Sequence, residues 1–159
     1  MDDFISDFRQ IVEDAAARLL ALPDVVSARR PAPDRWSPRE VLGHLVDSAT
    51  NNHGRFVRAH LQDDLVFPGY AQDDWVRVQR YADTPWPELV ALWRLLNLHL
   101  ARVMAAAPNT ERTRLRVRHN LHEIAWTTVP ADRPTTLEYF MRDYVGHLRH
   151  HLTQIPGAT

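Results

Sequence analysis

Nine histidines in 159 residues, with no cysteine and no lysine, narrow the chemistry open to this chain. Disulfides, cysteine-based zinc sites, thiol nucleophiles and iron–sulfur clusters are excluded, as are a lysine Schiff base and a phosphate-loop lysine. Imidazole, carboxylate, guanidinium, hydroxyl and phenol groups remain. Their densest run is Asp143-Tyr144-Val145-Gly146-His147-Leu148-Arg149-His150-His151-Leu152-Thr153-Gln154-Ile155. Residues four apart on a helix share one face, so His147 and His151 can reach a single ion. His147 and His150, three apart, can also pair. Helical phase separates the two choices. Leu137, Phe140, Met141, Tyr144, Leu148, Leu152 and Ile155 define a buried direction. His147 and His151 lie roughly 75° from it and His150 roughly 155°. A boundary pair is partly desolvated yet reachable, which suits a ligand, whereas His150 is expected in solvent. The competing reading of such a pair is a surface coincidence.

A second polar group recurs at spacings of three and four: His44, Asp47, Ser48, Asn51 and Arg55. Val41, Leu42, Leu45, Val46, Ala49, Phe56 and Val57 form the apolar side of the same helix. The centre of the polar stripe is roughly 140° from the apolar centre, where a solvated face belongs. Its composition points the other way. Solvated helix faces are rich in Glu, Lys and Arg, and this stripe carries short hydrogen-bonding groups. A plain surface and a site both stay open. On this stripe Arg55 could hold a substrate carboxylate bidentately, and Asp47 could orient a ligand histidine. Asn51 shares the stripe, and Gln154 stands three residues after His151.

Four helical segments must position these groups. Residues 3–22 carry Phe4, Phe8, Ile11, Val12, Ala15, Leu19 and Leu20 at helical spacing, and Pro23 stops them. A proline-rich connector covers 23–36. Ser37-Pro38-Arg39-Glu40 reads as a capping box with proline in the first turn, opening a helix to about Leu61. Residues 63–84 read as a long loop with a short helix near Asp73–Gln79. Thr84-Pro85-Trp86-Pro87-Glu88 opens a third helix in the same way, with Leu89, Trp93, Leu96, Leu100 and Met104 as its stripe to about Ala107. Within 109–133, Arg114-Leu115-Arg116-Val117-Arg118 alternates like an edge strand, with a loop as the other reading. Pro134-Thr135-Thr136-Leu137-Glu138 starts a fourth helix that ends near Ile155, before Pro156-Gly157. Four amphipathic helices of this length pack most simply as an all-α four-helix bundle with long connecting loops.

Net charge is −1 and the hydrophobic fraction 45%, the balance of a globular chain forming one domain over 1–159. No nucleic-acid partner is expected, because acidic residues offset the one basic cluster at Arg114, Arg116 and Arg118. Met1-Asp2-Asp3-Phe4 lacks a basic, apolar leader, so a cytoplasmic protein without membrane partners is expected. The five tryptophans read as packing, with Trp36 and Trp75 placed to line a pocket wall. His53, His60, His99, His119 and His122 are expected to have no metal role, and Glu40 only a capping role.

Trp36-Ser37-x2-Glu40-x3-His44-Leu45-x-Asp47-Ser48, followed by His147-x3-His151-x2-Gln154-Ile155, resembles the DinB/YfiT-like superfamily. Asn51-x3-Arg55-Phe56, Tyr70-x4-Trp75 and Leu98-His99-Leu100 look most like its YfiT branch. The resemblance covers nearly the whole chain. It implies a four-helix bundle with a divalent metal held by one histidine of the second long helix and two of the last, here His44, His147 and His151. Zinc or nickel is implied first, with iron and manganese also accepting imidazole. Three neutral ligands leave a coordination position open to water or substrate. The implied activity is hydrolysis of a small electrophile by metal-activated water. The alternative is an S-transferase that presents a low-molecular-weight thiol, and a rival of another class is a non-catalytic stress-response bundle. Members of the family often form homodimers.

Overall fold

A computed structural model describes residues 3–159, with side chains from Phe4 onward; the leading Met1-Asp2, part of the leader expectation, lies outside the described residues. In chain order the helices are α1 (Asp3–Leu20), α2 (Asp24–Ser27), α3 (Pro38–Ala59), α4 (Gln72–Gln79), α5 (Trp86–Ala106), α6 (Asn109–Thr113), α7 (Leu121–Ile124) and α8 (Leu137–Leu152), with a 3-10 turn at Tyr81–Asp83. The long helices α1, α3, α5 and α8 form the four-helix bundle. Helix α5 packs against both α1 and α3, and α8 closes on α3 and α1.

Local chemistry sets the helix starts. The Ser37 hydroxyl accepts from the Glu40 amide at 3.3 Å, and the Glu40 carboxylate accepts from the Ser37 amide at 2.8 Å. This box pins the first turn of α3, with Pro38 supplying a preset φ. Glu40 also makes a two-pronged ion pair with Arg30, beyond its capping role. Thr136 caps α8 by accepting from the Tyr139 amide at 3.0 Å. Helix α5 starts later than the Thr84 reading: Pro85 is its cap, with no side-chain hydrogen bond. Helix α5 is long and apolar enough to cross a bilayer by length and composition alone. Its Leu89, Trp93, Leu100 and Met104 are instead buried in the bundle, a use that core helices make of the same composition.

The core is aromatic where α1, α3 and α8 meet. Phe56 stands edge-on to Phe140 and to Tyr144, with ring centroids 5.5 and 6.0 Å apart, and Phe8 meets Tyr144 at 6.0 Å. Such pairs contribute about 0.5–1.5 kcal/mol each beyond their buried area.

The connectors depart from expectation. The 23–36 segment contains α2, and 109–133 contains α6 and α7. No strand forms among the described residues, only isolated bridges pairing Leu65 with His119 and Arg116 with Thr135. The Arg114–Arg118 alternation is not an amphipathic strand, because Leu115 and Val117 face solvent while Arg116 is buried. The Arg116 guanidinium donates to the carbonyls of Ala59 and Gln62 at 3.1 and 2.7 Å. It thereby satisfies backbone acceptors left open where α3 ends.

Candidate metal centre

Helix α3 brings His44, and α8 brings His147 and His151, to one point in the bundle. The Nε2 atoms of His44 and His147 are 3.3 Å apart. Ring centroids of His151 lie 4.6 Å from His44 and 4.5 Å from His147. One nitrogen from each ring lies within 4.8 Å of the other two. Nitrogens held 2.0–2.1 Å from a tetrahedral ion stand about 3.3 Å apart, so the His44–His147 edge already has a ligand spacing. No other set of three such groups occurs among the described residues. His150 is exposed and stacks on Trp126 at 5.5 Å.

The other ring nitrogens are consistent with ligation through Nε2. Nδ1 of His151 faces the Gln154 side-chain oxygen at 2.9 Å, and Nδ1 of His147 faces the Ser48 hydroxyl at 3.4 Å. Each partner can accept a proton held on Nδ1, which leaves the Nε2 lone pair free. Nδ1 of His44 is buried and unpartnered. Burial, and then the field of His151, pulls the His44 pKa down to about 4. Burial followed by the neighbouring imidazoles takes His147 down to about 3, and burial lowers His151 too. At neutral pH all three rings are therefore uncharged, the protonation state a metal ligand needs.

The polar stripe of α3 is not a solvated face. His44, Asp47, Ser48 and Arg55 are buried, because α4, the 3-10 turn and the Pro68–Tyr70 loop cover that side. Asp47 does not orient a histidine. Its Oδ1 accepts from Tyr81 at 2.6 Å and Gln79 at 2.7 Å, and its Oδ2 is unpartnered. Burial raises the Asp47 pKa. Asn51 is also misplaced by the stripe reading: its amide folds back onto the Asp47 carbonyl at 2.9 Å. Asn52 lines the site instead, and the regular four-residue step His44, Ser48, Asn52 was the available signal.

A cavity of about 360 Å³ opens beside His44 and His147. Ser48, Asn52 and Arg55 of α3 form one wall. Tyr70 and Trp126 come from loops, and Phe140 and Asp143 from α8. Asp143 accepts the backbone amides of Trp126 and Thr127 at 2.9 and 2.7 Å, which holds the Trp126 loop against α8. Gly146 permits that approach, since a Cβ there would stand 3.0 Å from the indole. Trp126 carried no sequence signal of its own, although a glycine beside His147 in the middle of an amphipathic helix marks a close contact. Trp36 packs 5.2 Å from His44 and helps line a second cavity of about 280 Å³, together with Arg35, Asp73, His151 and Gln154. Trp75 packs on Tyr70 at 5.0 Å and lines neither cavity. His119 is structural, bonded to the Arg133 carbonyl and the Leu121 amide.

The sequence profile of the DinB superfamily matches residues 7–155. No curated protein matches the chain. Among solved structures, YfiT from Bacillus subtilis, described as a probable metal-dependent hydrolase with an unusual four-helix bundle topology, aligns with a TM-score of 0.74. The alignment covers 99% of this chain and 87% of that one, at 19% identity. At that identity the likeness carries the fold.

Proposed function

This chain belongs to the DinB superfamily, and from that premise we propose that it is a metal-dependent hydrolase of a small ester, amide or related electrophile, with His44, His147 and His151 holding a divalent ion. Such an ion, zinc or nickel ahead of iron or manganese, would acidify water and polarise the electrophile's oxygen. The observation that carries the reading is the meeting of three uncharged imidazoles, two of which, His44 and His147, line a cavity of about 360 Å³. Gln154 and Ser48 face Nδ1 of two of the rings and can accept the proton there, which favours the tautomer a ligand needs. Burial pushes the Tyr70 phenol up to about 12, so it keeps its proton at neutral pH. From the cavity wall it can donate a hydrogen bond to an oxygen that gains charge. Trp126 and Phe140 add aromatic surface to the cavity wall.

Metal analysis of the untagged protein tests this. We expect about one ion per chain in the wild type and loss of that ion in both His44→Ala and His147→Ala. Ester or amide turnover should disappear with a chelator and return with zinc or nickel. Unchanged metal content in the two variants would sink the site.

The second cavity favours one alternative, a thiol S-transferase. Two separate cavities border the three rings, one lined by His44 and His147 and one by His151, and such a pair suits a reaction of two substrates. Turnover of a halo-dinitrobenzene that requires bacillithiol, mycothiol or glutathione would select this reading over hydrolysis. Metal bound without either turnover would leave a non-catalytic bundle.

A further inference from the structure

Arg55 is a buried cation without a counter-charge. It is 5% exposed, and no carboxylate lies within ion-pair distance of it among the described residues. Its guanidinium donates to Asn52 Oδ1 at 3.3 Å and to the Pro68 carbonyl at 2.9 Å. A guanidinium has five N–H donors, so most of the fork is uncommitted. None of the Arg55 nitrogens is a sealed orphan, in contrast to Nε of Arg116, and Arg55 lines the larger cavity. Burial also lowers its pKa, as expected where lost hydration is not replaced by an anion.

Carrying a desolvated charge is costly unless something in the working state neutralises it. The carboxylates near the cavity do not do so. Asp143 is committed to two backbone amides, and Glu123 is exposed on the rim. Arg55 lies eleven residues beyond His44 on α3, three turns along the same face, and helical side chains lean toward the N-terminus. Its head therefore leans back along the cavity toward the histidines, with Ser48 and Asn52 between.

We propose that Arg55 binds the carboxylate of the molecule that occupies the larger cavity, so that the substrates of this protein are carboxylic acids whose reactive group lies at the histidine end. The inference rests on the hydrolase reading only in calling that molecule a substrate. One buried cation matches a monoanion. A phosphate dianion would remain half-neutralised near Asp143.

Calorimetric titration with benzoate, benzamide and phenyl phosphate tests this on chelator-treated protein, where no metal can anchor the ligand. Benzoate should bind at least about tenfold tighter than benzamide. Arg55→Gln should abolish that preference, and Arg55→Lys should retain part of it. His44→Ala should keep the preference while losing metal, so failure of the metal site and failure of the anion site are separable. If Arg55→Gln does not fold, phenylglyoxal labelling of the wild type replaces it: benzoate should protect Arg55 and benzamide should not. Equal affinity for benzoate and benzamide, tighter binding of phenyl phosphate, or no protection would overturn the proposal.

Discussion

A histidine ligates through a bare ring nitrogen, so the proton must sit on the other one, and whatever accepts that proton helps set the ring's angle. For His151 this partner is the Gln154 oxygen, while the Gln154 nitrogen points to His150 at 3.5 Å. Replacing Gln154 with Leu keeps the bulk and removes the acceptor. Zinc affinity, measured by competition with a chromophoric chelator, should fall about tenfold. An unchanged affinity would mean that the ring is held by packing alone. At Asp47 the relevant partner is a phenol. Tyr81→Phe takes one donor from a buried carboxylate that has two. The variant should lose about 1.5–3 kcal/mol in urea unfolding, the range for hydrogen bonds to charged groups. A loss under about 0.5 kcal/mol would show that water replaces the hydroxyl.

Two glycines make α3 testable as an element. A Cβ on Gly43 would lie 2.2 Å from the Tyr81 ring, so the helix accepts Tyr81 only because that side chain is absent. Gly43→Ala should therefore destabilise the protein by about 1–3 kcal/mol despite alanine's better helix propensity. Gly54 in the same helix meets only the flexible end of Arg58, at 3.2 Å. Gly54→Ala should stabilise by about 0.5–1 kcal/mol. Paired thermal melts read both, and a Gly43→Ala variant stabilised like Gly54→Ala would show that Tyr81 yields to the added methyl. The same contact explains what could be read from the sequence. Caps and prolines are local, so Ser37-Pro38 and Thr136 announced their helices from a few residues. The 147/151 spacing is equally local. Burial of the α3 stripe is not local. It depends on Gln79 and Tyr81 turning in around Arg80, which adopts a left-handed φ of 54°, and on Pro68–Tyr70 lying over Arg55. Helical periodicity reports which residues share a face and leaves open which irregular segment covers it. For that reason Asn52 and Trp126 were missed, and Asn51 was assigned a place it does not take.

Across the whole molecule, the buried imidazoles couple stability to pH. An unfolded histidine titrates near 6.5, whereas His44 and His147 in the fold are held down at about 4 and about 3. The unfolded chain therefore binds more protons between those values, and stability rises with pH across that window. The contribution is complete above about 6.5 and is lost as pH falls toward the folded values. For His44 alone it amounts to roughly 3 kcal/mol. Lowered pKa values at His151, His53 and His60 act in the same direction. Asp47 and Asp143 act oppositely, since their raised pKa values favour the fold at low pH. Their carboxyls ordinarily titrate near 3.8, and the raised folded values extend their effect upward from there into the histidine window, where it offsets part of the slope. Chelator-treated protein should therefore melt at steadily lower temperature as pH falls from 7.5 to about 5. His147→Gln should flatten that slope. Zinc should raise the melting temperature at pH 7.5 and less at pH 5, because protons and metal compete for the same nitrogens. A metal-free melting temperature that stays level across this range would mean that the three rings are hydrated, and the desolvation that keeps them ready for an ion would be absent.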